Sequence, residues 1–159
     1  MELDDIDHRI LEELQRDARL SMSAVARAAH ISRASAYSRV NRLIESGVIT
    51  GFSARVDPVK AGLHSSAYVA ISIEQASWHE LRDRLAEIDE VAHIALVGGE
   101  VDLLVLVRAR DNHHLRRVVL EQLQALPAVR SIKTWLIFED FDPSDERKPV
   151  AAVPAPPTV

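Results

Sequence analysis

The stretch Ser32-Arg33-Ala34-Ser35-Ala36-Tyr37-Ser38-Arg39-Val40-Asn41-Arg42-Leu43-Ile44-Glu45-Ser46-Gly47 decides how the rest of the chain is read. Its first residue is a serine suited to accept an amide hydrogen bond at a helix start. Its last is a glycine suited to the left-handed position that ends one. Between them Ala36, Val40 and Leu43 fall at i, i+4 and i+7 and form one apolar stripe. The opposite face carries Ala34, Tyr37, Ser38 and Asn41, flanked by Arg33 and Arg42. A short helix whose outer face is small, hydrogen-bonding and cation-flanked suits a DNA major groove. The same residues also describe an ordinary surface helix with a solvated polar face, so the flanking sequence has to separate the two.

Upstream, Asp4 or Asp5 can cap a first helix in which Ile6, Ile10, Leu11 and Leu14 make a narrow apolar stripe, ending near Asp17-Ala18-Arg19. Ser21 then caps a shorter helix with Val25, Ala26 and Ala29 inward. The turn His30-Ile31 leads into Ser32, which completes a helix-turn-helix pattern. His30 stands where the backbone often turns left-handed, and histidine is among the few non-glycine residues that tolerate this. Downstream, Val48 to Val56 alternates like a short hairpin turning at Gly51, a wing after the recognition helix. Asp57-Pro58-Val59-Lys60-Ala61-Gly62 reads as a linker, because Pro58 and Gly62 break both periodicities.

The following eighty residues repeat one theme. Ser66 to Ile73 reads as a strand, about Ser77 to Ile88 as a helix with Leu81, Leu85 and Ile88 on one face, and Val91 to Val97 as a strand. After Gly98-Gly99, Asp102 to Ala109 is a nearly continuous apolar strand. Asp111 opens a helix carrying Leu115, Val118, Val119, Gln122 and Leu126, with Pro127 after it, and Val129 to Phe138 alternates as a last strand. This order is the split βαβ, or ferredoxin-like βαββαβ, sandwich. Two helices cover one face of four strands and leave the other partly apolar, so a homodimer through the sheets is expected. The chain is therefore read as α+β. Residues 1–56 form a winged helix-turn-helix domain, with the helix-turn-helix itself at about 22–42. Residues 57–64 form a linker, 65–142 a βαββαβ oligomerisation domain, to which the family resemblance given below adds ligand binding, and 143–159 a tail. The tail has five prolines in seventeen residues and no periodicity, so it is expected to be disordered.

Bulk properties fit this reading. The 159 residues are 47% hydrophobic and 27% charged, as in ordinary globular proteins. No apolar run approaches the ~18 residues of a membrane helix, and the acidic start Met1-Glu2-Leu3-Asp4-Asp5 is unlike a signal peptide. Cytoplasmic placement without membrane association is expected. The absence of cysteine excludes disulfides, thiolate metal sites and a cysteine nucleophile. The net charge of −5 is unevenly spread, since residues 1–60 hold nine Lys/Arg against nine Asp/Glu. Between Arg19 and Gly51, Arg27, Arg33, Arg39 and Arg42 face only Glu45. A local basic patch on a neutral module suffices for phosphate binding, because the relevant field is short-ranged.

Order and motifs together make the chain similar to the Lrp/AsnC (feast/famine) family of bacterial transcription regulators, over Leu3 to about Phe141. The resemblance rests on Leu3-Asp4-Asp5-Ile6-Asp7, Asp17-Ala18-Arg19-Leu20-Ser21, Ile31-Ser32, Arg39-Val40-Asn41-Arg42-Leu43 and Ser46-Gly47-Val48-Ile49-Thr50-Gly51-Phe52. Gly99-Glu100-Val101-Asp102 also looks like the family's glycine-x-x-aspartate turn between the middle strands. The family often has an aromatic beside that aspartate, whereas Val101 and Leu103 stand here. The resemblance implies a homodimer, often assembled further into tetramers or octamers, that binds double-stranded promoter DNA. It also implies a C-terminal domain that senses an amino acid or related metabolite.

For DNA, the expected contacts are Ser32 and the helix-start amides to phosphate oxygens. Arg33, Tyr37, Ser38 and Asn41 reach toward base edges across the small Ala34. Arg42 and Arg39 grip the backbone, Arg39 lying near the buried edge and so partly structural. For the effector, Gly98 and Gly99 permit close backbone approach, their amides can hold a carboxylate, and Glu100 or Asp102 can hold an ammonium group. The same residues also describe a tight hairpin with Asp102 bonding the turn's own amides. Thr134 and Trp135 are placed in the same inter-subunit pocket. No catalytic residue, cofactor or metal site is expected. His113 and His114 point about 100° apart on a helix, and no His-x-x-x-His pair, nucleophile motif or phosphate loop is present. The competing readings are a ligand-independent architectural DNA protein and an enzyme on the βαββαβ domain.

Overall fold

A computed structural model describes residues 2–74 and 78–140. The expected disordered tail, 143–159, lies outside the described residues. The chain divides between Arg55 and Val56 into two compact units.

The N-terminal unit holds three helices, α1 (Asp5–Arg16), α2 (Met22–Ala28) and α3 (Arg33–Glu45). Each starts where a short polar side chain can replace a missing backbone partner. The Asp4 carboxylate accepts the N–H groups of Ile6 and Asp7, and Asp7 in turn accepts the Asp4 N–H, a reciprocal capping box. Ser21 and Ser32 cap α2 and α3 by accepting from Ala24 and Ser35. The apolar stripes meet in one core of Ile10, Leu14, Val25, Ala26, Ala29, Ala36, Val40 and Leu43. The tight α2–α3 turn depends on His30, whose φ is +56°. Gly47, at φ +74°, ends α3, after which the Ile49 N–H returns to the Leu43 carbonyl.

The expected hairpin over 48–56 does not form, and no strand is present there. Ile49 alone in this run packs, half-buried, on the helical core, while Phe52 and Val56 are exposed. Alternation specifies a strand only when one face has something to bury against, and a lone two-stranded ribbon is marginal.

The second unit carries β1 (Ser65–Ile73), α4 (Trp78–Ala86), β2 (Val91–Leu96), β3 (Leu103–Ala109), α5 (Asn112–Arg117) and β4 (Val129–Ile137). All strand pairs are antiparallel in the order β2-β3-β1-β4, the βαββαβ sandwich read from the sequence. Ala67, Val69, Ile71 and Ile73 of β1 and Leu103, Val105, Val107 and Ala109 of β3 face the helices. There they pack with Leu81, Leu85, Leu115, Val118, Val119 and Leu123. The last helix departs from expectation. After six residues of α5 the chain passes into a π-helix, Val118–Leu123, closed by the Gln124 N–H on the Val119 carbonyl. A π-turn rotates less per residue than an α-turn, so fully buried Leu123 takes the inward position expected of Gln122.

Among the described residues no helix packs on the other sheet face. Register aligns Trp135, Tyr68, Leu106 and His93 in one row across all four strands. Trp135 is 53% and Tyr68 39% exposed, so this apolar row meets solvent in the isolated chain. Among the described residues no helix is long and apolar enough to cross a membrane.

Candidate nucleic-acid interface and effector turn

The face of α3 opposite its core stripe is presented to solvent. Ser32, Arg33, Ala34, Tyr37, Ser38 and Arg42 are exposed, while Arg39 and Asn41 are half-buried. Tyr37 is 60% exposed, a large aromatic standing off the surface. The Ser32 hydroxyl oxygen accepts the Ser35 N–H, which leaves its O–H, the free amides of the helix start and Arg33 beside them to meet an anion.

The two arginines on the other flank have protein partners. Arg39 Nη1 donates to both carboxylate oxygens of Asp4, at 2.9 and 2.8 Å, and to Asp7 Oδ1 at 2.8 Å. Arg42 Nη2 donates to Asp7 Oδ2 at 2.6 Å. The Asp7 side chain is 1% exposed, that of Arg39 23% and that of Arg42 47%. Burial alone disfavours the Asp7 charge, but Arg39, the Asp4 N–H and Arg42 outweigh it and hold the carboxyl below the usual aspartate range. Asp4 is lowered as well, first by the Asp7 N–H and then by Arg39. Arg39 therefore ties α3 to the start of α1, while Arg42 shares that tie and keeps one side in water. Sequence reading placed both arginines on the helix but missed their partners. There Asp4 reads only as a helix cap, and Asp7 carries no reading of its own.

In the C-terminal unit, Gly98 to Asp102 links β2 to β3. Gly99 has φ +141°, which other residues rarely adopt, and the space where its side chain would stand is open. Asp102 Oδ2 accepts the Ile73 N–H at 2.8 Å. The Asp102 backbone N–H donates to the Ile71 carbonyl, and its carbonyl accepts from Val97. The aspartate thus bonds the end of β1 rather than the turn's own amides. Glu100 is exposed, and among the described residues it has no ion-pair partner. Within one chain, Thr134 and Trp135 do not share a sheet face. β4 pairs Thr134 with core-facing Val69 and Trp135 with outward Tyr68, which sets them on opposite faces. Thr134 also lies two strands from β3, so one chain does not bring it to the turn.

No group of three or more His, Asp or Glu suited to a metal occurs among the described residues. His114 Nε2 instead lies 2.7 Å from Glu90 Oε1, bringing α5 beside the start of β2.

Two family models match the chain. The Lrp/AsnC ligand binding domain covers residues 66–146 and the winged helix-turn-helix DNA-binding domain residues 3–50. The chain is 38% identical over 141 residues to the HTH-type transcriptional regulator AldR of Mycolicibacterium smegmatis, covering 87% of this chain and 82% of that protein. It is 36% identical over 137 residues to an uncharacterized HTH-type transcriptional regulator of Pyrococcus abyssi, covering 86% and 87%. Among solved structures it is similar to the leucine response regulatory protein LrpA of Mycobacterium tuberculosis. That match has a TM-score of 0.78 and 34% identity, and it covers 89% of this chain and 97% of that chain.

Proposed function

The chain belongs to the Lrp/AsnC family of transcriptional regulators, and from that premise we propose how its two units divide the work. It is a DNA-binding regulator with a small-molecule-binding domain, not an enzyme. In our reading the exposed face of α3 enters the major groove. Arg33, Tyr37, Ser38 and Asn41 address base edges across Ala34, and Ser32, Arg39 and Arg42 serve the phosphates. Residues 1–56 are the DNA-binding domain, 57–64 the linker and 65–142 the sensing and assembly domain.

The effector we propose is an amino acid or related metabolite, held at Gly98, Gly99, Glu100, Val101 and Asp102, with Thr134 contributed by another copy. Glycine amides for a carboxylate and acidic side chains for an ammonium match both charges of an amino acid. The leucine response named for LrpA points the same way. Copies pair through the open sheet face into a homodimer and onward to tetramer or octamer, acting on promoter DNA in the cytoplasm.

The observation that carries this reading is the capped, solvent-facing α3 surface with Arg33 at its N-terminal edge. The experiment is to select operators from a random duplex library with the purified chain and to repeat binding with Arg33→Ala. A loss of about 1–3 kcal/mol is expected if the side chain reads a base. Unchanged affinity for both Arg33→Ala and Arg42→Ala overturns the assignment.

A further inference from the structure

Among the described residues Asp7 is the one charged side chain buried beyond nine-tenths. A carboxylate inside a protein is costly unless every lone pair is answered by a donor. Here three donors answer it, Arg39 Nη1 on Oδ1, and Arg42 Nη2 and the Asp4 N–H on Oδ2. The capping box needs only the Asp4 N–H, so the two guanidinium contacts go beyond what ending a helix requires. Their geometries differ. Arg39 spends Nη1 on three contacts to two aspartates and is three-quarters shielded. Arg42 is held by Nη2 alone, while its Nε and Nη1 carry no protein partner among the described residues.

We infer that Asp7 is a positioning residue for DNA binding. It holds the Arg42 guanidinium by one edge, so that the opposite N–H edge is presented to a backbone phosphate of DNA lying on α3. The inference rests on the reading that this face of α3 binds DNA, and it adds a residue outside that face. Arginine suits the role because its planar fork can serve a carboxylate and a phosphate at once, which the single ammonium of lysine cannot do in a fixed geometry. With the fork fixed on folding, less rotamer freedom is lost when DNA arrives. Arg39 matters because an unneutralised Asp7 would repel the phosphate. Asp4 and Asp7 are balanced by Arg39 and Arg42, and the amide end of α1 adds partial positive charge.

The test uses the full chain and a labelled mixed-sequence duplex of about 40 base pairs, since a phosphate contact is sequence-independent. Binding is titrated from about 50 to 200 mM salt. Arg42→Ala is expected to weaken binding and to lower the salt slope by about one for each bound helix. Asp7→Asn is expected to weaken binding about five-fold, the order for ordering one long side chain, and to have no effect in an Arg42→Ala background. An equal loss in both backgrounds assigns Asp7 a purely structural role and overturns the inference, as does no loss in either. If Arg42→Ala alone changes nothing, the inference fails while the reading of α3 stands as long as Arg33→Ala weakens binding, which separates the two failures. Should Asp7→Asn unfold the N-terminal unit, Arg42→Lys decides. It keeps the charge without the fork, so a comparable loss supports the inference and native affinity overturns it.

Discussion

The carboxylate of Asp102 accepts the backbone N–H of Ile73 at 2.8 Å, which fastens the glycine turn to the end of β1 where that strand's pairing with β4 shifts register. The residue proposed to hold an effector's ammonium group therefore already has a structural task. Asp102→Ala should destabilise the C-terminal unit by about 1–3 kcal/mol, the range for losing a charged partner of a part-buried amide. Asp102→Asn keeps an oxygen acceptor and should lose less than half of that. Urea unfolding of both variants measures the structural share. Calorimetry with amino acids and keto acids on the Asn variant then reads the charge's share in binding.

Arg39 is the hub of the ion-pair cluster beneath α3, so Arg39→Ala should destabilise the N-terminal unit. About 2–3 kcal/mol is expected, below the full cost of breaking a buried pair because Arg42 still partners Asp7. Far-UV circular dichroism during urea unfolding checks it.

The same cluster gives a pH dependence of definite sign. Asp4 and Asp7 titrate lower in the folded chain than in the unfolded one. Their contribution is thus fully present above the ordinary aspartate pKa of about 3.9, and it disappears as pH falls through their lowered values. Stability of the N-terminal unit should be flat from about pH 7 to 5 on their account and fall below about pH 4. Arg39→Ala should flatten that acid limb. A limb equally steep in the variant would assign the acid sensitivity to other carboxylates.

His30, at φ +56°, should respond to substitution in a graded way. His30→Val places a β-branched residue in a left-handed conformation and should cost more than about 1 kcal/mol. His30→Gly relieves that strain at an entropic cost in the unfolded chain, and should lie within about 1 kcal/mol of the native residue. Thermal melts of the two variants give the order.

The three caps, the helical core and the four-strand order were legible because each leaves a local mark. Ser21 and Ser32 precede apolar stripes of period 3.6, and β1 and β3 are alternating or continuous apolar runs. What escaped depends on partners distant in sequence. Nothing around Val48 to Val56 tells that its alternation finds no surface to bury against. The π-turn after Arg117 changes only which of Gln122 and Leu123 faces inward. Within the site, the α3 face followed from the helix period alone. The ties of Arg39 and Arg42 to Asp4 and Asp7 span more than thirty residues and carry no periodic signal.

Trp135 offers the sharpest test of assembly. Its pairing with Tyr68 sets it on the sheet face away from the helices, and at 53% exposure it adds little to the fold of one chain. If a second copy covers that face, Trp135 and Tyr68 are buried near the centre of the contact, where aromatic anchors contribute about 2 kcal/mol or more. Trp135→Glu should then raise the dissociation constant of the assembly at least about 30-fold, with the melting of the C-terminal unit nearly unchanged. Sedimentation velocity across a dilution series reads the first and circular dichroism the second. DNA affinity should fall with assembly, because two recognition helices held at fixed spacing bind far more tightly than one. A native chain that sediments as a monomer, or a Trp135→Glu chain that assembles like the native one, would place the contact elsewhere and leave the row from Trp135 to His93 without a partner.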